Sequence, residues 1–160
     1  MRSEYIIKKK LDVVLALLMP QNQLILRLLL ATGLRVSDAV ELRSAQIAPR
    51  MTVTERKTKK QRRVSVPPQL CDQIRRQAGE VWAFPGRQPG THKTRQAVWK
   101  DIKRAAKACR LEQQCSPHSA RKVYAVNLMR KYGDIERVKK ALMHDSAAVT
   151  MLYAMADKLV

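Results

Sequence analysis

Aromatic residues are scarce in this chain. Phe, Trp and Tyr together make up 4% of 160 residues. That scarcity argues against a surface that binds single strands by stacking their bases on exposed rings. Cysteine is also rare. Cys71, Cys109 and Cys115 are odd in number and show no CxxC spacing, so they read as reduced thiols of a cytoplasmic protein and not as a disulfide framework. The three histidines add no metal-ligand spacing, which argues against a zinc site. No apolar run has the length of about 20 residues that a bilayer span takes. The stretch from Leu11 to Leu30 comes nearest, and Pro20, Gln21, Asn22, Gln23 and Arg27 interrupt it. The opening MRSEYIIKKK lacks the apolar region and small-residue cleavage site of a secretory leader. Internal repeats and low-complexity segments are missing too.

Acidic residues are few beside basic ones: 13 Asp and Glu stand against 32 Lys and Arg, for a formal net charge of +19. A field of that strength attracts polyanions, and nucleic acid is the commonest polyanion in a cell. A lipid surface is the other candidate. However, the charge is spread over several segments instead of one amphipathic helix, which argues against a membrane. With 46% hydrophobic and 28% charged residues, the composition is that of a globular protein. The length fits one domain with a real core.

Leu11 to Met19 is expected to be a helix stopped by Pro20. Gln21 to Thr32 is a second helix, apolar nearly all round and therefore central, and Gly33 ends it. A short third helix runs from about Ser37 to Leu42. The period then changes to two. Ile47, Met51 and Val53, then Val64 and Val66, predict two strands. Between them lies ERKTKKQRR, with six basic residues in nine, a hairpin tip expected to be too charged to bury. Pro67-Pro68 opens a helix to about Gln77. Val81 to Phe84 is expected to form a third short strand, and Pro85 to Thr91 a loop. Thr94 to Cys109 is a helix with Lys100, Lys103, Arg104 and Lys107 mostly on its polar side. Pro117 to about Tyr132 is the longest C-terminal helix. Gly133 suits its C-terminal stop, and Asp134 suits the N-cap of the next helix, which runs to Leu142. Asp145 or Ser146 can cap a last helix that carries Tyr153. The sum is a mainly α chain with one small antiparallel sheet, an α+β fold.

A phosphodiester resists attack because its negative charge repels nucleophiles and its alkoxide leaves poorly. Cleavage needs cations on the developing charge, a nucleophile, and an acid for the leaving oxygen. Arginine suits the first task, since its fork meets two phosphate oxygens and stays charged. Tyrosine can attack where nearby cations stabilise the phenolate. The chain has such parts. Arg35 follows Gly33 at a helix junction. His118 and Arg121 are three apart, on one helix face, with His118 in the first turn, where the helix end favours a phosphate. Lys57 sits in the hairpin tip. His144 lies just before the helix of Tyr153.

The segments ATGLRVSDAVELR, KTKKQRRVSV, PHSAR and LMHDSAAVTMLY resemble, in order and at compatible spacings, the boxes of the tyrosine recombinase (phage integrase) catalytic domain. The resemblance covers about residues 11 to 157. It implies the DNA breaking-rejoining fold and a single catalytic domain over residues 1–160, without the separate N-terminal DNA-clamping domain of the family. It implies Arg35 as the first phosphate-clamping arginine, with Asp38 as its acidic support. Lys57 becomes the general acid towards the 5′ oxygen, with Lys59 and Lys60 as near neighbours. His118 becomes a proton acceptor or phosphate ligand beside Arg121, and His144 a phosphate contact. Tyr153 becomes the nucleophile that forms a 3′-phosphotyrosine link. Such chemistry keeps the bond energy and needs no cofactor, metal or nucleotide. The expected partner is double-stranded DNA, contacted by Arg56, Lys59, Lys60, Arg62, Lys100 and Lys103. Further recombinase protomers, as a dimer or tetramer on DNA, and accessory DNA-bending proteins are also implied. The setting is the cytoplasm, on the nucleoid.

The chain departs from the family in two places. Leu142-Met143-His144 stands where the family has Leu-Gly-His, which puts the turn before His144 in question. Lys122 stands where a histidine often follows the box arginine. Two rival readings stay open: a type IB topoisomerase-like enzyme of the same chemistry, and a DNA-binding module without catalysis on the same scaffold.

Overall fold

A computed structural model describes residues 5–143. The fold is built around one buried helix. The chain runs α1 (Lys8–Ala16), α2 (Pro20–Thr32), α3 (Val36–Val40), a 3₁₀ turn (Ser44–Gln46), β1 (Arg50–Thr54), β2 (Gln61–Ser65), α4 (Pro68–Gln77), α5 (Arg95–Ala108), α6 (Pro117–Tyr132) and α7 (Ile135–Leu142). Helix α2 has Pro20 in its first turn, where a missing N–H costs nothing. Its Ile25, Leu26, Leu28 and Leu29 are wholly buried, each contributing roughly 1.5–3 kcal/mol of burial. It packs against α1, α3, α4, α6 and β2, as its nearly continuous apolar sequence leads one to expect. No helix among the described residues is long and apolar enough to cross a membrane.

A carboxylate from α5 fixes the start of α2. Asp101 accepts from the Met19 N–H at 2.8 Å and from Asn22 at 2.7 Å, and Arg104 pairs with it. Burial alone would push Asp101 up. The hydrogen bonds from Asn22, Met19 and Arg104 outweigh it and hold the carboxyl below its ordinary value. The end of α2 is fixed equally firmly. Gly33 has φ +67° and its N–H reaches the Leu29 carbonyl at 2.8 Å, a left-handed stop that leaves the next carbonyls unpaired. The Thr32 carbonyl accepts from the Arg62 guanidinium.

Strands β1 and β2 are antiparallel, with Met51 opposite Val64 and Val53 opposite Arg62. The period-two alternation therefore places Arg62 on the same inward side as Val64. Arg62 is buried, and its guanidinium lies 5.9 Å from the Tyr124 ring centroid. The sequence reading put Arg62 in a solvated tip and among the DNA contacts. It is instead an interior residue that caps α2, because β2 begins at Gln61. Glu55, in the same charged run, is also buried.

Two smaller expectations change. Val81 to Phe84 forms no strand among the described residues, only an isolated bridge from Trp82 to Arg43, and a second bridge joins Pro85 to His92 just beyond it. Helix α1 ends at Ala16 instead of Met19 and α3 is shorter than expected. The C-terminal punctuation holds. Helix α6 spans Pro117–Tyr132, Gly133 stops it at φ +64°, and Asp134 accepts from the N–H groups of Glu136 and Arg137 at 2.9 and 3.3 Å.

Gly33 has a second constraint besides its backbone. A Cβ there would overlap ring carbons Cδ1 and Cε1 of Tyr124 on α6. Gly33→Ala therefore adds a left-handed penalty of about 1–2 kcal/mol to a steric clash. The expected loss exceeds about 2 kcal/mol by denaturant unfolding, and Tyr124→Ala in the same chain recovers part of it. A loss under about 1 kcal/mol would show that the close approach is not rigid.

Candidate active site

Arg35 is the N-cap residue of α3, one residue beyond the buried Leu34. Its Nη1 donates to Glu55 Oε2 at 2.8 Å. Glu55 is 0% exposed at the base of the β1–β2 hairpin, and the Thr58 hydroxyl donates to the same oxygen at 3.1 Å. Asp38 is 5% exposed and its Oδ1 accepts from the Arg56 N–H at 3.0 Å. The support expected of Asp38 thus reaches the hairpin backbone, and the carboxylate that directly holds Arg35 is Glu55. Burial pushes the Asp38 carboxyl above its ordinary value. The nearby Glu55 adds to this, while the Arg56 N–H and the charges of Arg35 and Arg121 oppose it.

Helix α6 supplies the second half. Pro117 begins it, and the Ser119 hydroxyl oxygen accepts from the Ser116 N–H at 3.1 Å. His118 is exposed in the first turn. Arg121, one turn on, is 3% exposed and donates to the Leu142 carbonyl at the end of α7. That bond ties the box arginine to the turn that precedes His144. Met143 in that turn has φ +51°, the left-handed conformation a glycine would supply. Met143 itself thus takes a backbone conformation that glycine adopts freely and other residues adopt at a cost in strain.

Loss of solvation around the ring lowers the His118 pKa below its ordinary value, and the charges of Arg121, Arg35 and Lys122 lower it further. Two arginines from distant parts of the chain thus act on one imidazole, and both also act on Asp38. Both arginines therefore lie within electrostatic range of His118 and of Asp38, although only Arg35 lines the concavities described next. Arg35 also lies where two concavities meet. The larger, about 720 Å³, is lined by Lys57, Arg56, His92 and Arg95 among others. The smaller, about 460 Å³, runs past Trp99, Ser116 and His118. Lys57 and His118 therefore flank Arg35 along one groove.

The remaining cations are distributed unevenly. Lys59 and Lys60 are exposed on the hairpin, but neither lines either of these two concavities. Arg56 is exposed and pairs with Glu41 at 2.8 Å. Lys100 is exposed. Lys103 reaches Gln114 at 3.1 Å and sits 5.5 Å from the Trp99 ring. On α5 the groove is lined instead by Arg95, Gln96 and Trp99. Sequence reasoning missed these three, together with Glu55. The only signal for Glu55 was a lone acid in a basic run. For Trp99 it was a large ring, 46% exposed, on a helix otherwise read for its lysines. His144 and Tyr153 lie outside the described residues, as does the last expected helix with its Asp145 or Ser146 cap.

The lowered pKa of His118 makes a prediction. An NMR titration of its imidazole reaches its midpoint below the ordinary histidine value, and Arg35→Ala moves that midpoint up by removing a repelling charge. The sign for stability follows. Protonation favours the unfolded chain, so the contribution of His118 is complete above the ordinary pKa and declines as pH falls through it. A midpoint that ignores the loss of Arg35 would place the two groups in separate fields.

The sequence profile described as the phage integrase family matches residues 9–159. A putative integrase/recombinase, y4qK, of Sinorhizobium fredii (strain NBRC 101917 / NGR234) is 35% identical over 130 residues, covering 77% of this chain and 42% of that protein. Tyrosine recombinase XerD of Lacticaseibacillus casei is 30% identical over 145 residues, covering 83% of this chain and 50% of that protein. Among solved structures, the catalytic domain of bacteriophage HP1 integrase superposes with a TM-score of 0.70 at 25% identity, covering 97% of this chain and 89% of that one. The chain spans about half the length of the curated relatives it matches.

Proposed function

The chain belongs to the phage integrase family, and we propose that it supplies the catalytic part of a site-specific recombinase that cuts and rejoins double-stranded DNA. Arg35 and Arg121 grip the scissile phosphate from two sides, with His118 and His144 as further contacts. The Tyr153 phenol oxygen attacks phosphorus and the bond to the 5′ oxygen breaks. His118 accepts the phenol proton and Lys57 gives one to the leaving 5′ oxygen. The strand keeps its bond to the 3′ oxygen, so a 3′-phosphotyrosine remains. Attack by a 5′ hydroxyl runs the steps backwards and reseals DNA.

The observation that supports this reading is that Arg35 borders both concavities, one with Lys57 and the other with His118, while the charges of Arg35 and Arg121 both reach His118. A pentavalent phosphorane-like transition state gathers charge on its equatorial oxygens, and two fixed guanidiniums meet that charge without reorganising. The net charge of +19 supplies the approach to duplex DNA. Arg56, Lys57, Lys59 and Lys60 on the hairpin and Lys100 and Lys103 on α5 are the proposed backbone contacts, which position a duplex and do not read its bases. The partners proposed with it are further recombinase protomers on the DNA and accessory bending proteins, in the cytoplasm on the nucleoid.

The deciding experiment uses a pool of labelled duplexes of random core sequence, each nicked so that a cleaved end diffuses away. A protein–DNA band that survives denaturing electrophoresis supports strand transfer, and sequencing the trapped DNA gives the site. Binding that falls steeply with salt, with no such band at any sequence, removes catalysis and leaves a DNA-binding module.

A further inference from the structure

Glu55 has no part in the chemistry above, and the family boxes assign it none. It is the one acid in ERKTKKQRR, and the fold buries it completely. One carboxylate oxygen receives both Arg35 Nη1 and the Thr58 hydroxyl. The other, Oε1, has no hydrogen-bond partner among the described residues. A carboxylate is costly to bury unless it is paired, so Arg35 is the counter-charge that keeps Glu55 inside. The dependence runs both ways, because the pair fixes where the guanidinium can point.

We infer that Glu55 is a positioning residue: it sets the plane of the Arg35 fork and fastens it to the hairpin that carries Lys57. This rests on the strand-transfer reading. The bond to Glu55 uses Nη1, and an arginine fork has five N–H donors. Arg35 also lines both concavities, so the rest of its fork serves a phosphate there. A second tether runs beside the first, from Asp38 to the Arg56 N–H. Residues 55 and 56 are thereby held to the segment of Arg35 and Asp38, and Lys57 follows directly. The phosphate clamp and the leaving-group acid become one body, although they are 22 positions apart in the chain and Lys57 itself is exposed.

A buried counter-ion with no further role would leave the same contacts, so the test needs a readout that stability does not move. Glu55→Gln keeps the size and one carbonyl acceptor but removes the charge. Cleavage is measured on the trapped site, once with the ordinary phosphodiester and once with sulfur in place of the bridging 5′ oxygen. A thiolate leaves without a proton, so sulfur rescues Lys57→Ala and does not rescue Arg35→Ala. Glu55→Gln is expected to follow Arg35, slower by at least about 10-fold on both substrates with DNA affinity within about twofold. Thr58→Val, which removes only the hydroxyl donor, is expected to shift the rate in the same direction by less. Wild-type rates for Glu55→Gln, or full rescue by sulfur, overturn the assignment. A second measurement needs no turnover. In arginine side-chain NMR of the DNA-free chain, slow rotation of the Arg35 Nη groups is expected in the wild type and fast rotation in Glu55→Gln. If the wild type traps no site, the strand-transfer reading fails while this measurement still decides. An unchanged Arg35 signal overturns the inference by itself.

Discussion

Tyr153→Phe is expected to abolish the covalent protein–DNA adduct and to leave affinity for DNA nearly unchanged. The substitution keeps the ring and removes one oxygen, the atom to which phosphorus would bond. No partial activity is expected, because a phenyl ring offers no substitute nucleophile. Tyr124 and Tyr132 are poorly placed to stand in. The Tyr124 ring is taken up by Gly33 on one side and Arg62 on another. Tyr132 ends α6 with Arg137 3.7 Å from its ring centroid, and fourteen residues of helix separate it from His118, about 21 Å at 1.5 Å per residue. Affinity depends on phosphate contacts and on the overall charge, and a buffer of fixed salt holds both constant between the two proteins. The pair of measurements is a denaturing gel on the nicked site and fluorescence anisotropy on the intact one. A normal adduct in Tyr153→Phe would take that residue out of the reaction.

The sequence exposed its helices where local chemistry punctuates them. Pro117, Gly133 and Asp134 each act through their own backbone or the next turn, so α6 and the start of α7 could be read to the residue. The long apolar run of α2 was as plain. Reading failed where a charge is decided by a partner far along the chain. Arg62 is interior because Thr32 offers it a carbonyl and Val53 pairs with it across the sheet. Glu55 is interior because Arg35, twenty positions earlier, neutralises it. Neither partner is visible in ERKTKKQRR, where six cations suggest solvent throughout. The alternation of Arg62, Val64 and Val66 was the available clue, and charge was allowed to outweigh it. Met143 shows the converse. A missing glycine put the turn before His144 in question; Met143 adopts φ +51° beside the Leu142 carbonyl that Arg121 holds, and His144 lies outside the described residues. In the site, Arg35, His118 and Arg121 were legible as a set. The hold of Glu55 on Arg35 was not.

Arg35→Ala should damage the protein in two separable ways. The first is chemical. Removing one preorganised donor to a developing anionic charge costs about 10²–10³ in rate, and Arg121, one of whose nitrogens already donates to the Leu142 carbonyl, is not expected to compensate. The second is structural. The substitution leaves Glu55 buried without its hydrogen-bonded counter-charge, and breaking a buried pair from one side costs about 3–5 kcal/mol, moderated by the charge of Arg62 nearby. The partial exposure of Arg35, 22% at the side chain, places the expected loss near the lower end. The double variant Arg35→Ala/Glu55→Gln tells the effects apart. It removes the stranded charge, so denaturant unfolding should recover most of the stability, while cleavage of the nicked site stays as slow as in the single variant. Recovery of cleavage along with stability would mean that Arg35 serves the fold alone. Wild-type cleavage in Arg35→Ala would remove the clamp, and with it the reason for two arginines to meet at His118.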